Sequence, residues 1–328
     1  MTITVTDIVT QFGAYYINEG QNLDRLKTKI YQMAETAGYF ANRPTENTQW
    51  RSTFSQMNGV LQPFQKAWTP KATFSIEPNK FDLFKIKIDD DLQPDEIEAT
   101  YLGFLANVED LERKNWPFIR WYIESHLMQA KAEDHELLEA FLGVYAAPTP
   151  GTAGATGTSM DGLRKIIRAY NNAGRTGLGD GAIATGALAT DPGDFVEQVE
   201  NWCDSVPYVF RNKLDYIFMS DANATLYKRG KRAKYGKDVQ FINGTASNLD
   251  TVEDYPSIRI ARLQSMGTSD MIWASPSINR IRPLKKGGLQ NIFQVESRQR
   301  TVSIFTDWWE ALNFEVPEFI FHNDLDLV

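Results

Sequence analysis

The sequence predicts an α+β protein, and three observations carry that prediction. Apolar residues recur at helical spacing in residues 23 to 40 and again after Pro94, whereas from Thr73 the period changes to two. A run without charge, APTPGTAGATGTS at 147 to 159, is the clearest linker in the chain and marks a boundary. Beyond it come short helices and strands, ending in a long two-period region from Phe293 to Val316.

Each element has a local reason. Leu23, Leu26, Ile30 and Met33 form one face of a short helix predicted over 23 to 40, and the rest of the first sixty residues reads as an irregular arm. Phe74 and Ile76, then Phe84, Ile86 and Ile88, alternate with polar neighbours on either side of Pro78-Asn79, which predicts a hairpin turning at that dipeptide. A lone hairpin is marginal in water, so support from other parts or from another copy is implied. Pro94 followed by Asp95 and Glu96 opens a helix, since the missing N–H costs nothing in the first turn and acids complement the dipole. Asn115-Trp116-Pro117 opens a second, running to about Leu142, and its 25 or so residues would span roughly 38 Å. Asp194 with Glu197 reads as a capping box ahead of Phe195, Val199 and Trp202. Leu214 to Met219 reads as a strand, Ser220-Asp221 as the cap of the following helix, and Ile258 to Leu263 and Met271 to Ala274 as further strands.

Composition narrows the function. With 328 residues the chain buries its own core, and one cysteine with three histidines leaves almost no material for a disulfide framework or a His/Cys metal site. No leader opens the sequence and no apolar run approaches the ~20 residues that span a bilayer, so a soluble protein of a reducing cytoplasm is expected. The net charge of −8 is unevenly divided. Residues 201 to 300 hold 16 Lys and Arg against 9 Asp and Glu, residues 81 to 150 hold 6 against 15, and residues 301 to 328 hold none against 6. Segments of opposite sign either pair within the chain or let copies meet acidic surface to basic surface.

Catalytic and cofactor patterns mostly fail on context. Gly177-Leu178-Gly179-Asp180-Gly181-Ala182 meets the loose dinucleotide spacing, but no strand precedes it and no helix follows, so a flexible loop is expected. His126 and His135, nine apart on a predicted helix, face opposite ways, and His322 stands alone. Cys203 beside Trp202 reads as a buried, inert thiol. Asp89-Asp90-Asp91 lacks the spacing of a calcium loop and reads as a solvated turn. No enzyme, cofactor or metal is expected. The positive feature is a run of Lys228, Arg229, Lys231, Arg232, Lys234 and Lys237, six cations in ten residues. It is dense enough to meet phosphates without reading sequence, or a neighbouring subunit, and equally suits a solvated helix end.

Taken in order, these parts resemble the major capsid proteins of tailed bacteriophages with the Hong Kong 97-type fold. The resemblance runs through ELLEAFLGVY (136 to 145), MDGLRKII (160 to 167), ATDPGDFVEQV (189 to 199), YIFMSDANATLYKRG (216 to 230), MIWASPSINRI (271 to 281) and VESRQRTVSIFTDWWEALNFEVPEFI (295 to 320). It implies an N-terminal arm at 1 to 60, an extended hairpin loop at 61 to 94, and a spine helix region at 95 to 146. A peripheral domain would comprise 147 to 206 with 276 to 328, and an axial domain 207 to 275. It further implies an icosahedral, self-assembling shell of hexamers and pentamers around double-stranded DNA, a separate scaffolding protein, a portal, and assembly in the host cytoplasm. Family members crosslink a lysine to an asparagine across subunits; Lys71, Lys80 and Lys85 lie in the expected hairpin, with no partner visible in sequence. An encapsulin-like nanocompartment shell enclosing a cargo enzyme is the alternative.

Overall fold

The computed structural model describes residues 32–58, 60–71, 73–93, 122–235, 241–242, 245–246, 249–286, 293–298 and 301–327. The chain divides into two compact units, one of Met1–Ala34, Lys85–His135 and Gly287–Trp308, the other of Glu35–Phe84, Glu136–Lys286 and Trp309–Val328. The expected helix over 23 to 40 falls mostly outside the described residues, and what is described of it is a single 3-10 turn, Thr36–Tyr39.

The larger unit is built on a four-stranded sheet in the order 321–322, 273–274, β5 (Tyr216–Ser220), 259–263. β5 runs parallel to 259–263 and antiparallel to 273–274. Ile217, Phe218 and Met219 are buried in succession, which is why their segment reads as an unbroken apolar run. The helices α3 (Pro192–Ser205) and α5 (Asp221–Lys234) pack against each other, and Phe195, Val199, Trp202, Ala224 and Tyr227 join the sheet's Ile217, Met219, Ile260 and Ala274 in one core. The cap of α3 lies three residues earlier than the sequence suggests: Asp191 accepts from the N–H groups of Gly193 and Asp194, and Pro192 fills the first turn. Met160 to Asn171, of no clear class in sequence, folds as α2 (Leu163–Asn172) with Leu163, Ile166 and Ile167 buried.

Aromatic packing and one ion pair join the sheet to its surroundings. Trp273 stacks on Phe218 at 4.1 Å between ring centroids and meets Phe40 and Phe314. Arg280, almost fully buried, donates to both carboxylate oxygens of Asp215 and to the carbonyls of Tyr39 and Ser275, with its guanidinium over the Phe218 ring. Every charge-bearing bond there is directional, which makes so buried a cation tolerable.

The expected hairpin pairs differently. β2 (Gln49–Asn58) pairs antiparallel with β3 (Thr73–Asp82) over their whole lengths, and Pro78-Asn79 lies inside β3, opposite Thr53 and Ser52. A proline is tolerated because both strands of a two-stranded ribbon are edges. The break comes instead at Leu83, which is buried and donates its N–H to the Thr48 carbonyl. β1 (Ala41–Thr45) lies parallel to 280–285.

In the other unit, β4 (Phe84–Leu92) pairs with the strand 301–310, which forms a hairpin with 294–298. Lys85 pairs with Asp307 at 2.6 Å, and the Lys131 ammonium sits 4.0 Å from the Trp308 ring centroid. Of the expected long helix, residues 95 to 121 lie outside the described residues. The remainder is a helical run in which π-turns at Ile123–Leu127 and His135–Glu139 flank the α-helical Met128–Asp134.

Candidate assembly site

Three of the six cations of the basic run pair within the chain. Lys228, Lys231 and Lys234 recur every three residues, so they share a face of α5. Lys228 pairs with Asp250 at 2.5 Å, and Lys234 reaches Glu197 and Glu200 on α3 at 3.5 Å. Lys231 is only 1% exposed; its ammonium meets Glu253 at 3.1 Å and donates to the Thr251 carbonyl and hydroxyl. Of the six candidates for an inter-subunit or DNA-facing patch, these three lysines meet acids of their own chain at 197 to 200 and 250 to 253, which linear spacing cannot bring near. Lys237 lies outside the described residues, and the cations of this run left exposed without an ion pair among the described residues are Arg229 and Arg232, three positions apart on α5. At Glu200 burial outweighs the pairing, raising the carboxyl above its usual range against the pull of Lys234 and the Tyr235 hydroxyl.

Other sequence candidates have structural duties. The glycines at 174, 177, 179 and 181 all have positive φ, and Leu178 sits between two of them at φ 63°, in a turn that donates its Gly177 N–H to the Ile320 carbonyl. No strand leads into it, which leaves the dinucleotide pattern without support. His322 is buried between the Asn323 carbonyl and the Thr176 hydroxyl, and burial holds its imidazole below the ordinary value of 6.5. The Cys203 thiol is buried and pushed up to about 12, so it is not nucleophilic at neutral pH. Asp89, Asp90 and Asp91 belong to a strand rather than a turn; Asp90 accepts from the Tyr122 hydroxyl and Asp91 from the Ser303 hydroxyl. No acidic or His/Cys cluster able to hold a metal occurs among the described residues, nor does a helix long and apolar enough to cross a membrane.

The surface that sequence reasoning missed is the loop joining β2 to β3. Leu61, Phe64 and Trp68 are 90 to 93% exposed, and Val60, Met57, Phe74 and Ile76 continue the apolar surface down the strands. The loop closes on itself through polar ties: the Gln62 amide donates to the Thr69 carbonyl, the Gln65 amide to the Thr69 hydroxyl, and that hydroxyl to Gln62 Oε1. Its shape is therefore held by polar side chains while its largest apolar ones point to solvent, an arrangement that costs free energy unless another surface covers them. QPFQKAW has no helical or strand period, so nothing in the sequence flags it as an element.

The hairpin's root is polar and buried. Asn79, 3% exposed, donates its amide to the carbonyls of Phe314 and Glu315. The Tyr170 hydroxyl on α2 points to Asn313 Oδ1 at 3.0 Å and Asn79 Oδ1 at 3.3 Å, and burial raises its pKa so that it stays a donor. Ser52 donates to the Glu315 carbonyl at 2.6 Å. Arg175 donates to the Pro78 carbonyl and to Glu318.

No family model matches the chain, and no curated protein matches it. Solved structures do. The capsid chain of Myoviridae phage XM1 superposes with a TM-score of 0.55 at 13% identity, over 92% of this chain and 95% of that one. A chain of the satellite phage P4 procapsid gives 0.53 at 10% identity, over 95% and 97%. The capsid chain of an empty GTA particle gives 0.53 at 12% identity, over 98% and 99%. This chain has a phage capsid fold. At such identities no residue role is inherited, so the assembly surfaces of this capsid fold rest on its own side chains.

Proposed function

We propose that the chain is the major capsid protein of a tailed bacteriophage, self-assembling into an icosahedral head around double-stranded DNA. The observation that carries this reading is the apolar hairpin loop, preorganised and uncovered, on a capsid fold that extends over nearly the whole chain. A monomer gains nothing from holding Phe64 and Trp68 in water, whereas a shell repeats one covered contact in every subunit. The role is structural rather than catalytic. The phage and GTA capsids named above support a viral shell over a cargo-enclosing nanocompartment.

In this reading the hairpin 49–82 is the extended loop, which moves that domain toward the N-terminus of the expected 61 to 94. Residues 1 to 48 contribute the arm, and the helical run ending at Glu139 is the spine. The remaining assignment follows the Hong Kong 97-type plan: a peripheral domain from 147 to 206 with 276 to 328, and an axial domain from 207 to 275. Scaffolding protein, portal and packaged DNA are its partners, and assembly takes place in the host cytoplasm. The test is a Phe64→Ser/Trp68→Ser double variant beside the unaltered chain, each expressed with the proteins of its own phage and examined by sedimentation and electron microscopy. The unaltered chain should give closed shells, and the variant should remain as folded, unassembled subunits. Normal shells from the variant would overturn the reading.

A further inference from the structure

We propose that Asn79 and Tyr170 are positioning residues that lock the hairpin 49–82 at one exit angle before subunits meet. The inference rests on the reading of that hairpin as an assembly arm and adds what aims it. Asn79 is the one fully buried side chain among the described residues of the hairpin, the others being half-buried or exposed, so the hairpin has no apolar core of its own to hold its direction. A two-stranded ribbon has little stability of its own, and its angle is decided where it joins the body.

That junction is built from directional bonds. The Asn79 amide spans two successive carbonyls, Phe314 and Glu315, while its own carbonyl oxygen faces the Tyr170 hydroxyl, which also reaches Asn313. Three segments distant in sequence thus meet at one buried polar centre. Phe54 on Phe319, edge to face at 5.2 Å, supplies apolar contact beside it. Apolar contact alone lets a ribbon roll or slide with small loss, whereas bonds of fixed length and angle are satisfied in one orientation. Arg175 adds a second fixed point one residue along, at the Pro78 carbonyl, with its charge against Glu318. The apolar tip is therefore presented at one angle, and every subunit offers its neighbour the same geometry.

The experiment compares the full chain with Asn79→Ala and Tyr170→Phe variants by amide hydrogen exchange and by the diameters of assembled particles. Exchange at residues 49 to 53 and 77 to 82 should rise roughly tenfold in each variant, the equivalent of about 1.4 kcal/mol. Melting of the body should stay nearly unchanged, and particles should become broad in diameter or open. Tyr170→Phe removes a single oxygen and decides the matter alone where Asn79→Ala folds poorly. Unchanged exchange in Tyr170→Phe, or particles of uniform native diameter despite faster exchange, would overturn the proposal. The Phe64→Ser/Trp68→Ser variant separates the two failures: it still assembles only when the assembly-arm reading itself is wrong, and it blocks assembly with a uniform Tyr170→Phe shell when the aiming role alone is wrong.

Discussion

Gly230 stands where α5 crosses α3, and a Cβ built there would lie 1.8 Å from the Pro192 carbonyl oxygen and 2.7 Å from a Val196 methyl. Backbone cannot yield as a side chain does, so Gly230→Ala should cost roughly 3 kcal/mol, read as a lowered denaturant midpoint with unchanged slope. In sequence this glycine is only an interruption of a basic run. The run itself was legible, but its acids were not, because Glu197, Asp250 and Glu253 reach α5 through packing and not through spacing. Cys203 was legible as an inert thiol, its neighbour Trp202 and the helical period both placing it inward. His322 was legible only as an isolated histidine, and its burial gives it a pH signature. The folded imidazole titrates below 6.5 while the unfolded one keeps its ordinary value, so as pH falls below about 6.5 the unfolded state binds the proton first. Stability from this group is complete above that pH and is lost as pH falls through the window beneath it. The drop in melting temperature between pH 7.5 and pH 5.5 should be shallower in His322→Gln than in the unaltered chain.

Helix and strand content was legible wherever apolar residues ran in register, as in β5 and α5, and failed where polar residues decide the pairing. Pro78-Asn79 is a common turn dipeptide, yet Asn79 here is drawn inward by two carbonyls, and β3 continues through it to Leu83. The period-two pattern could locate β3 and β4 but could not say that β2, whose sequence QWRSTFSQMN alternates weakly, is the partner. The arm's attachment was hidden in the same way. Glu136, fully buried on the last turn of the helical run, accepts from the N–H groups of Glu35 and Thr36 and from the Thr36 hydroxyl. Phe40 packs on Trp273 and Phe314 a few residues later. A chain beginning at Gln32 keeps all of these contacts. One beginning at Ala41 strands the Glu136 carboxylate in a buried site without its donors, a loss of roughly 3 kcal/mol. Calorimetry of the two truncations checks this, and equal melting temperatures would show that the 32–40 segment contributes nothing to the body.

In the proposed shell, charge would act at the scale of the whole assembly. The chain carries −8 overall, with acids concentrated at 81 to 150 and 301 to 328, so copies repel unless cations on one surface meet acids on another. Lys228, Lys231 and Lys234 are already committed to acids of their own chain, which leaves Arg229 and Arg232, both exposed, to act between subunits or on DNA. Within this run two guanidiniums are few for holding a genome against so acidic a protein, and in the proposed shell they would instead steer one contact repeated in every copy. An exposed pair contributes only ~0.2 to 1 kcal/mol, and repetition multiplies it through the whole shell. The Arg229→Gln/Arg232→Gln variant should therefore fold normally and assemble at a higher threshold concentration, the deficit largest at low salt and fading as screening removes the attraction from both proteins. The shells it does form should hold as much DNA as before. A variant that assembled at the normal threshold but lost DNA, with a flatter dependence of retention on salt, would instead assign the two arginines to the genome.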